Sequence, residues 1–299
     1  MITLAHLSDV HLAPLPPARL RELANKRLTG YLNYRLKRGS ALDGSGLATL
    51  VDHLHAQAPD FICLTGDLVN LGLDAEIAQA AEWLQRLGPP DRVCISPGNH
   101  DAYLPGALTR ACMAWRPYLS GETLDEHRFP FVRRVGEVAI ISCSSAISTP
   151  PWVAAGRFDA GQGERLGRVL RLLADGGYFR VVMIHHPPQP EENSWRRGLW
   201  GAGGFRRAIA AAGAELVLHG HTHRSTLHHL PGPAGDVPVI GVAAASTAPG
   251  ARGHADPARY NLFGIDRHPK TRAWTCAMRE YGYQRLGNDI ALRLEMRIY

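Results

Sequence analysis

GDLVNLGLDAEIAQAAEWLQRLGPPDRVCISPGNHD, residues Gly66 to Asp101, is the stretch whose reading decides the fold. The apolar run Phe61-Ile62-Cys63-Leu64-Thr65 leads into it and reads as a buried strand. Residues 73–87 carry helical periodicity, with Ile77, Ala81 and Leu84 on one face. Arg92 to Ser96 is the next strand. Strand, helix and strand in that order indicate an α/β architecture. Both strands run into glycine followed by polar residues that suit a hard cation, Gly66-Asp67 and Gly98-Asn99-His100-Asp101. Glycine lets the backbone turn tightly, so the Asp67 carboxylate emerges at the sheet's end. Alone, Asp67 reads equally well as a helix N-cap.

The same punctuation recurs outward. Ile2 to Leu7 is a first strand followed by Asp9-Val10-His11. Phe179 to Ile184 runs into His185-His186-Pro187, and Glu215 to Leu218 into Gly220-His221-Thr222-His223. Val138 to Cys143 is expected to pair with Phe129 to Arg134, and residues 161–174 to form a helix with Leu166, Val169, Leu170 and Leu173 inward. Val237 to Val242, Tyr260 to Asp266 and Thr271 to Arg279 are further strands. Strands without intervening helices there indicate antiparallel additions. Motifs spread from residue 9 to residue 223 imply one catalytic domain over 1–299, with a basic helical insertion at about 15–45 and C-terminal strands at about 255–299.

Each motif supplies oxygen or imidazole donors and none supplies a thiolate. In an extended segment, side chains two apart point the same way, so Asp9 and His11 are expected to reach one metal together, and His221 and His223 likewise. Asp67 can bridge two cations with its two oxygens. Asn99 offers a neutral amide oxygen. His100 need not be a ligand; it can stabilise the phosphoryl transition state or protonate the leaving group. Asp101 can hydrogen-bond that imidazole and fix its tautomer. Strand neighbours face opposite sides, so one of His185 and His186 is expected to bind metal. Any one of these residues alone is more often structural. Five strand-end motifs with such ligands together indicate two metals about 3.5–4 Å apart, arranged for phosphoryl chemistry.

On these motifs the chain resembles the calcineurin-like metallophosphoesterases from residue 1 to about 245. Gly66 to Asp101 most resembles the bacterial class III cyclic nucleotide phosphodiesterase branch. The resemblance implies a four-layer α/β/β/α sandwich of two mixed β-sheets flanked by helices. It implies Asp9, His11, Asp67 and His223 at one metal, and Asp67, Asn99, His185 and His221 at the other. It makes His100 the catalytic histidine outside the ligand set and favours His185 over His186. Leu68-Val69-Asn70 replaces the aspartate-arginine-glycine run of Ser/Thr protein phosphatases, which argues against that activity.

The expected reaction is metal-dependent hydrolysis of a small-molecule phosphodiester, with 3′,5′-cyclic nucleotides as candidates, by a hydroxide bridging the two metals. Manganese, iron and zinc all suit mixed imidazole and carboxylate ligation. A pyrophosphohydrolase of a nucleotide-linked lipid A precursor is the enzyme alternative. A metal-free scaffold is the non-enzyme alternative, and the complete ligand set argues against it.

The chain has 299 residues and a formal charge of +6. Arg19 to Arg38 holds seven cations (Arg19, Arg21, Lys26, Arg27, Arg35, Lys37, Arg38) against Glu22, so the excess is local and no nucleic-acid partner is expected. Leu20, Leu23, Ala24, Leu28 and Tyr31 form a helical face there, interrupted at Gly30. That segment reads as a solvated helix, as a cap over anionic substrate, or as an interfacial helix meeting anionic lipid through residues 19–38. Trp152, Trp195 and Trp200 are candidates for stacking, and Arg196 and Arg197 for binding phosphate, in loops expected to rim the pocket. An odd five cysteines without close pairs suit a reducing compartment. No basic, cleavable leader is evident, and no run reaches the ~18–20 apolar residues of a membrane span. A cytoplasmic protein is expected, with the inner membrane face as a peripheral location.

Overall fold

Phe61–Leu64 is buried at all four positions, as its unbroken apolar run requires. Phe61 and Cys63 face one core and Ile62 and Leu64 another, the period-two alternation of a strand between two layers. The computed structural model describes residues 1–38, 44–192, 194–248, 256–284 and 289–299, and the side chains of Lys37, Arg38, Gly44 and Ser45 are outside that description. Residues 39–43 of the expected insertion and 285–288 of the expected C-terminal strands therefore lie outside the described residues.

In chain order the elements are β1 (Ile2–Leu7), α1 (Leu20–Leu23), α2 (Arg27–Asn33), α3 (Gly44–Ala56), β2 (Phe61–Leu64), α4 (Asp74–Leu87), β3 (Val93–Ile95) and α5 (Ala107–Ala114). Then come β4 (Phe131–Val135), β5 (Val138–Ser142), β6 (Gly156–Arg157), α6 (Ala160–Asp175), β7 (Phe179–Met183), β8 (Leu199–Trp200), α7 (Ala202–Ala212) and β9 (Leu216–His219). The chain closes with β10 (Thr226–Leu230), β11 (Val237–Gly241), β12 (Arg259–Arg267), β13 (Trp274–Tyr283) and β14 (Ile290–Arg297).

Among the described residues these strands form two six-stranded mixed sheets, ordered β14-β13-β12-β1-β2-β3 and β10-β11-β9-β7-β5-β4, and the small pair β6-β8. β1, β2 and β3 are parallel, as are β5, β7, β9 and β11. The antiparallel additions are β12, β13 and β14 on one sheet and β4 and β10 on the other. Leu4, Phe61 and Phe263 pack against Ile140, Phe179 and Leu216 between the sheets. Leu50, Leu54 and Leu84 cover the outer face of the first sheet, and Leu166, Leu170, Phe205 and Ile209 that of the second. This gives the four layers α/β/β/α. All five cysteines are free and buried.

The apolar face expected in the insertion is only partly right. Leu23 is buried, whereas Leu20 and Leu28 are exposed. Arg27, at the start of α2, takes an inward position and is 7% exposed. Gly30 does not interrupt the helix; α2 runs through it. A Cβ there would lie 2.2 Å from the Tyr103 hydroxyl, so glycine lets α2 press against Tyr103.

Candidate metal centre

Five strand ends meet between the sheets. Asp9 and His11 follow β1, Asp67 follows β2, Asn99 follows β3, His185 follows β7, and His221 and His223 follow β9. The Asp9 amide donates to the Gly66 carbonyl, the His11 amide to Asp67, and the Gly220 amide to His185, each at 3.0 Å. Across the sheets, the His221 amide donates to Asp9 Oδ2 at 3.0 Å. Two motif glycines permit this approach. A Cβ on Gly98 would sit 2.2 Å from Asp67 Oδ1, and one on Gly220 would sit 1.8 Å from Ser8 Oγ.

The expected extended placement of the i, i+2 pairs is corrected. β1 ends at Leu7 and β9 at His219, so both pairs lie beyond the ladders. Asp9, His11, Asp67, His221 and His223 have φ of 54°, 35°, 54°, 68° and 56°. Left-handed backbone at non-glycine residues costs about 1–3 kcal/mol each and persists where surroundings over-determine it. The pairs converge through left-handed turns instead of same-side strand positions.

Asp9 Oδ1 lies 3.1 Å from His223 Nε2 and 3.9 Å from His11 Nε2. Asp67 Oδ2 lies 3.3 Å from His185 Nε2 and 3.9 Å from His11 Nε2. Donor atoms of Asp9, His11 and His223 lie within 4.8 Å of one another, as do those of Asp9, Asp67 and His185. The His185 and His221 rings are 5.2 Å apart. Asn99 Oδ1 and His221 Nε2 are buried and make no hydrogen bond among the described residues. Leaving such atoms unmatched costs about 1–3 kcal/mol each. Deeply buried oxygen and imidazole donors, two of them unmatched, fit divalent cations.

The ring tautomers fit as well. His185 Nδ1 donates to the Thr65 carbonyl at 2.5 Å and His11 Nδ1 to Val69 at 3.2 Å, which leaves each Nε2 lone pair facing inward. Burial would raise the Asp67 carboxyl, but the His185 and His100 imidazoles outweigh it and hold Asp67 well below the usual range. Burial would lower His185, but Asp67 outweighs it and pushes the imidazole up to about 10. A cation at this carboxylate would displace that proton and take the Nε2 lone pair. His221, buried beside His186 and His185, is held well below its ordinary value.

His186 shares this cluster with His185 and His221. Both its nitrogens are engaged, with Ser145 Oγ at 2.8 Å and the Ala154 carbonyl at 3.1 Å. It ties two loops to the centre. The His100 amide donates to Asp67 Oδ1 at 2.7 Å, and its Nδ1 bonds the Asn70 carbonyl at 2.6 Å. The expected Asp101–imidazole bond is corrected accordingly. The Asp101 carboxylate instead accepts the amides of Asp67 at 3.0 Å, Gly98 at 2.9 Å and Leu68 at 2.9 Å. Asp101 is fully buried, and it braces the turn that presents Asp67.

Two supporting residues escape a reading by motif. Glu76 accepts the amides of Asn70 at 2.7 Å and of Leu71 and Leu73 at 3.0 Å. Arg27 donates Nε to the Leu71 carbonyl at 2.9 Å and Nη2 to Gly72. Together they fix the loop whose Asn70 carbonyl orients His100. A cavity of about 470 Å³ opens beside Asn99 and His100, bounded by Lys26 and Asn33 of the basic segment, Tyr103, Trp152, Arg196 and Arg197. Trp195 and Trp200 lie away from this lining. Their rings are 6.2 Å apart, and Trp200 Nε1 donates to the Trp195 carbonyl at 3.0 Å.

Fold and site together define a metal-dependent phosphoesterase. Residues 2–225 match the family model described as calcineurin-like phosphoesterase, and the chain belongs to that family. It is 27% identical over 227 residues to a protein of Synechococcus sp. named a probable cyclic nucleotide phosphodiesterase, covering 75% of this chain and 74% of the relative. In fold it is similar to a dimetal phosphatase from Danio rerio, with TM-score 0.59, 12% identity and coverage of 99% and 98%. It is also similar to purple acid phosphatase PPD1 from yellow lupin seeds, with TM-score 0.54 and 11% identity over 94% of this chain and 51% of that one. The chain is a metal-dependent phosphohydrolase. Among the described residues, no helix is long and apolar enough to cross a membrane.

Proposed function

We propose that this phosphohydrolase is a phosphodiesterase of small molecules, with 3′,5′-cyclic nucleotides as its first candidate substrates. Asp9, His11, Asp67 and His223 would hold one cation, and Asp67, Asn99, His185 and His221 the other. The observation that carries the assignment is the convergence of seven donors, among which Asn99 Oδ1 and His221 Nε2 are buried and unmatched. Bound there, the cations would activate water and clamp the non-bridging phosphoryl oxygens; manganese, iron and zinc all suit these donors.

The chain's own residues do the rest. His100 stands at the cavity wall with Nδ1 on the Asn70 carbonyl. From there it would pass a proton to the leaving oxygen. Asp101 holds the Asp67 turn. The centre opens into a roomy cavity that can take the organic arm of a phosphoester. The Synechococcus relative supports cyclic nucleotides in particular. We place all of residues 1–299 in one catalytic unit. Five free, buried cysteines support a cytoplasmic setting.

Exposed Leu20, Leu28, Leu32 and Leu36 among the basic residues favour a second reading, a diphosphate-linked amphiphile taken from a membrane surface. The test is steady-state hydrolysis by manganese-loaded protein of cyclic AMP, bis(p-nitrophenyl) phosphate, p-nitrophenyl phosphate and UDP-2,3-diacylglucosamine. Highest kcat/KM on cyclic AMP supports the leading reading. Preference for the lipid-linked diphosphate replaces it with the second. Preference for the monoester overturns both.

A further inference from the structure

The cavity beside His100 has an unusual charge. Lys26, Arg196 and Arg197 line it, and among the described residues no carboxylate does. Their charges are not neutralised elsewhere. The Lys26 ammonium bonds the uncharged Thr149, at 2.7 Å to its carbonyl, and lies 4.4 Å from the centre of the Tyr103 ring. Arg196 and Arg197 make no side-chain ion pair among the described residues. Three cations facing one cavity focus positive potential there and draw in an anion.

The cations are also held in place. Backbone ladders hold the loops that carry them. β6 pairs with β8, and the Ala154 amide donates to the Arg196 carbonyl at 2.8 Å, which keeps the arginine loop beside Trp152. On the opposite wall, buried Arg27 bonds the Leu71 and Gly72 carbonyls and anchors α2, and Lys26 immediately precedes that helix. Tyr103 connects the two regions, its ring 5.7 Å from that of His100. A single phosphodiester anion would already lie between the two cations of the metal centre. It leaves these three side chains without a counter-charge.

We propose that this cavity is an anion subsite, in which Lys26, Arg196 and Arg197 bind a second phosphate carried on the organic arm of the substrate. The inference rests on the diesterase reading for the identity of the reaction, and it narrows the substrate class to diesters that bear a further phosphate group. Tyr103 and exposed Trp152 flank the path between the two anions, where a flat ring in the arm would lie against them. Burial lowers the Lys26 ammonium to about 8, and a bound phosphate would restore its charge.

The test compares thymidine 5′-(p-nitrophenyl phosphate) with its 3′-phosphorylated form, using manganese-loaded protein and nitrophenolate release. Both share one scissile bond and one leaving group. The added phosphate is expected to lower KM tenfold or more, about 1.4 kcal/mol. The ratio of the two KM values should collapse toward one in Arg196→Ala/Arg197→Ala and shrink in Lys26→Met. Equal KM values for the two substrates in the parent protein overturn the subsite. Cleavage of neither substrate counts against the diesterase reading, and calorimetric binding of adenosine 3′,5′-bisphosphate against adenosine 5′-monophosphate then decides the subsite. Tighter binding of the bisphosphate that is lost in the double variant supports it, and equal binding overturns it.

Discussion

Asp101→Asn isolates the role that the structure gives this carboxylate. Oδ2 accepts the Asp67 and Gly98 amides, and Oδ1 accepts the Leu68 amide with a longer contact to Val69 at 3.4 Å. Asparagine turns one of these oxygens into an NH2 group that faces N–H donors. The less damaging rotamer places it at Oδ1, which removes the Leu68 bond and sets donor against donor. Burial and the neighbouring Asp67 charge push the Asp101 carboxyl up to about 7, so the comparison is made at about pH 8 or above, where it is ionised. A hydrogen bond to a charged group contributes about 1.5–3 kcal/mol, and the two bonds that remain weaken once the charge is gone, so the loss there is about 2–4 kcal/mol. For a chain of this size that is a fall in Tm of roughly 5 °C or more. The Asp67 turn loosens with it, and metal affinity should fall about 10–100-fold, as it does when groups that orient ligands are removed. Thermal unfolding followed by circular dichroism and calorimetric titration of manganese read the two effects. Unchanged Tm and unchanged manganese affinity, with kcat alone reduced, would refute the bracing role and return Asp101 to the His100 ring.

Three further outcomes are expected. His100→Gln should lower kcat on a diester about 10²–10⁴-fold with little change in metal stoichiometry, and a loss confined to KM would count against proton transfer by this ring. Arg27→Met strips the charged donor from the Leu71 and Gly72 carbonyls, so stability should fall by about 2–4 kcal/mol and kcat more than KM should suffer through the Asn70 carbonyl; parent-like unfolding would contradict the anchoring role. Lys26 carries its charge below about 8 and loses it above. KM for the 3′-phosphorylated diester should therefore rise between about pH 7 and 9, by a step that Lys26→Met lacks, and a step preserved in that variant would assign the titration elsewhere.

Much of this was legible because each motif follows an apolar strand. Phe61–Leu64, Val93–Ile95, Phe179–Met183 and Leu216–His219 stand where periodicity places them, and their polar successors form the centre. α7 was not, since Gly203 and Gly204 blur its first turn. β14 fell only within the broad range of expected C-terminal strands, because its outward residues at the sheet edge weaken the alternation. The geometry at the ligands was misjudged for a local reason. Positive φ at Asp9, His11, His221 and His223 goes with contacts to residues distant in the chain, Gly66, Asp67 and Asp9 among them, which no window of sequence contains. Arg27 illustrates the same limit. It counted only as one of the local cations, because the carbonyls that take its charge lie some 44 positions away. Asp101 was given the wrong neighbour, because the four amides around it come from two separate turns.

The central claim is that Asp67 joins two cations in one hydrolytic centre. Metal content per chain, measured beside hydrolysis of bis(p-nitrophenyl) phosphate for the manganese-reconstituted parent and Asp67→Ala, tests it most directly. Two metals per chain and diester cleavage in the parent, with both lost in the variant while the fold persists by circular dichroism, is the expected result. Diester cleavage that survives in Asp67→Ala at parental rate and metal content would contradict it.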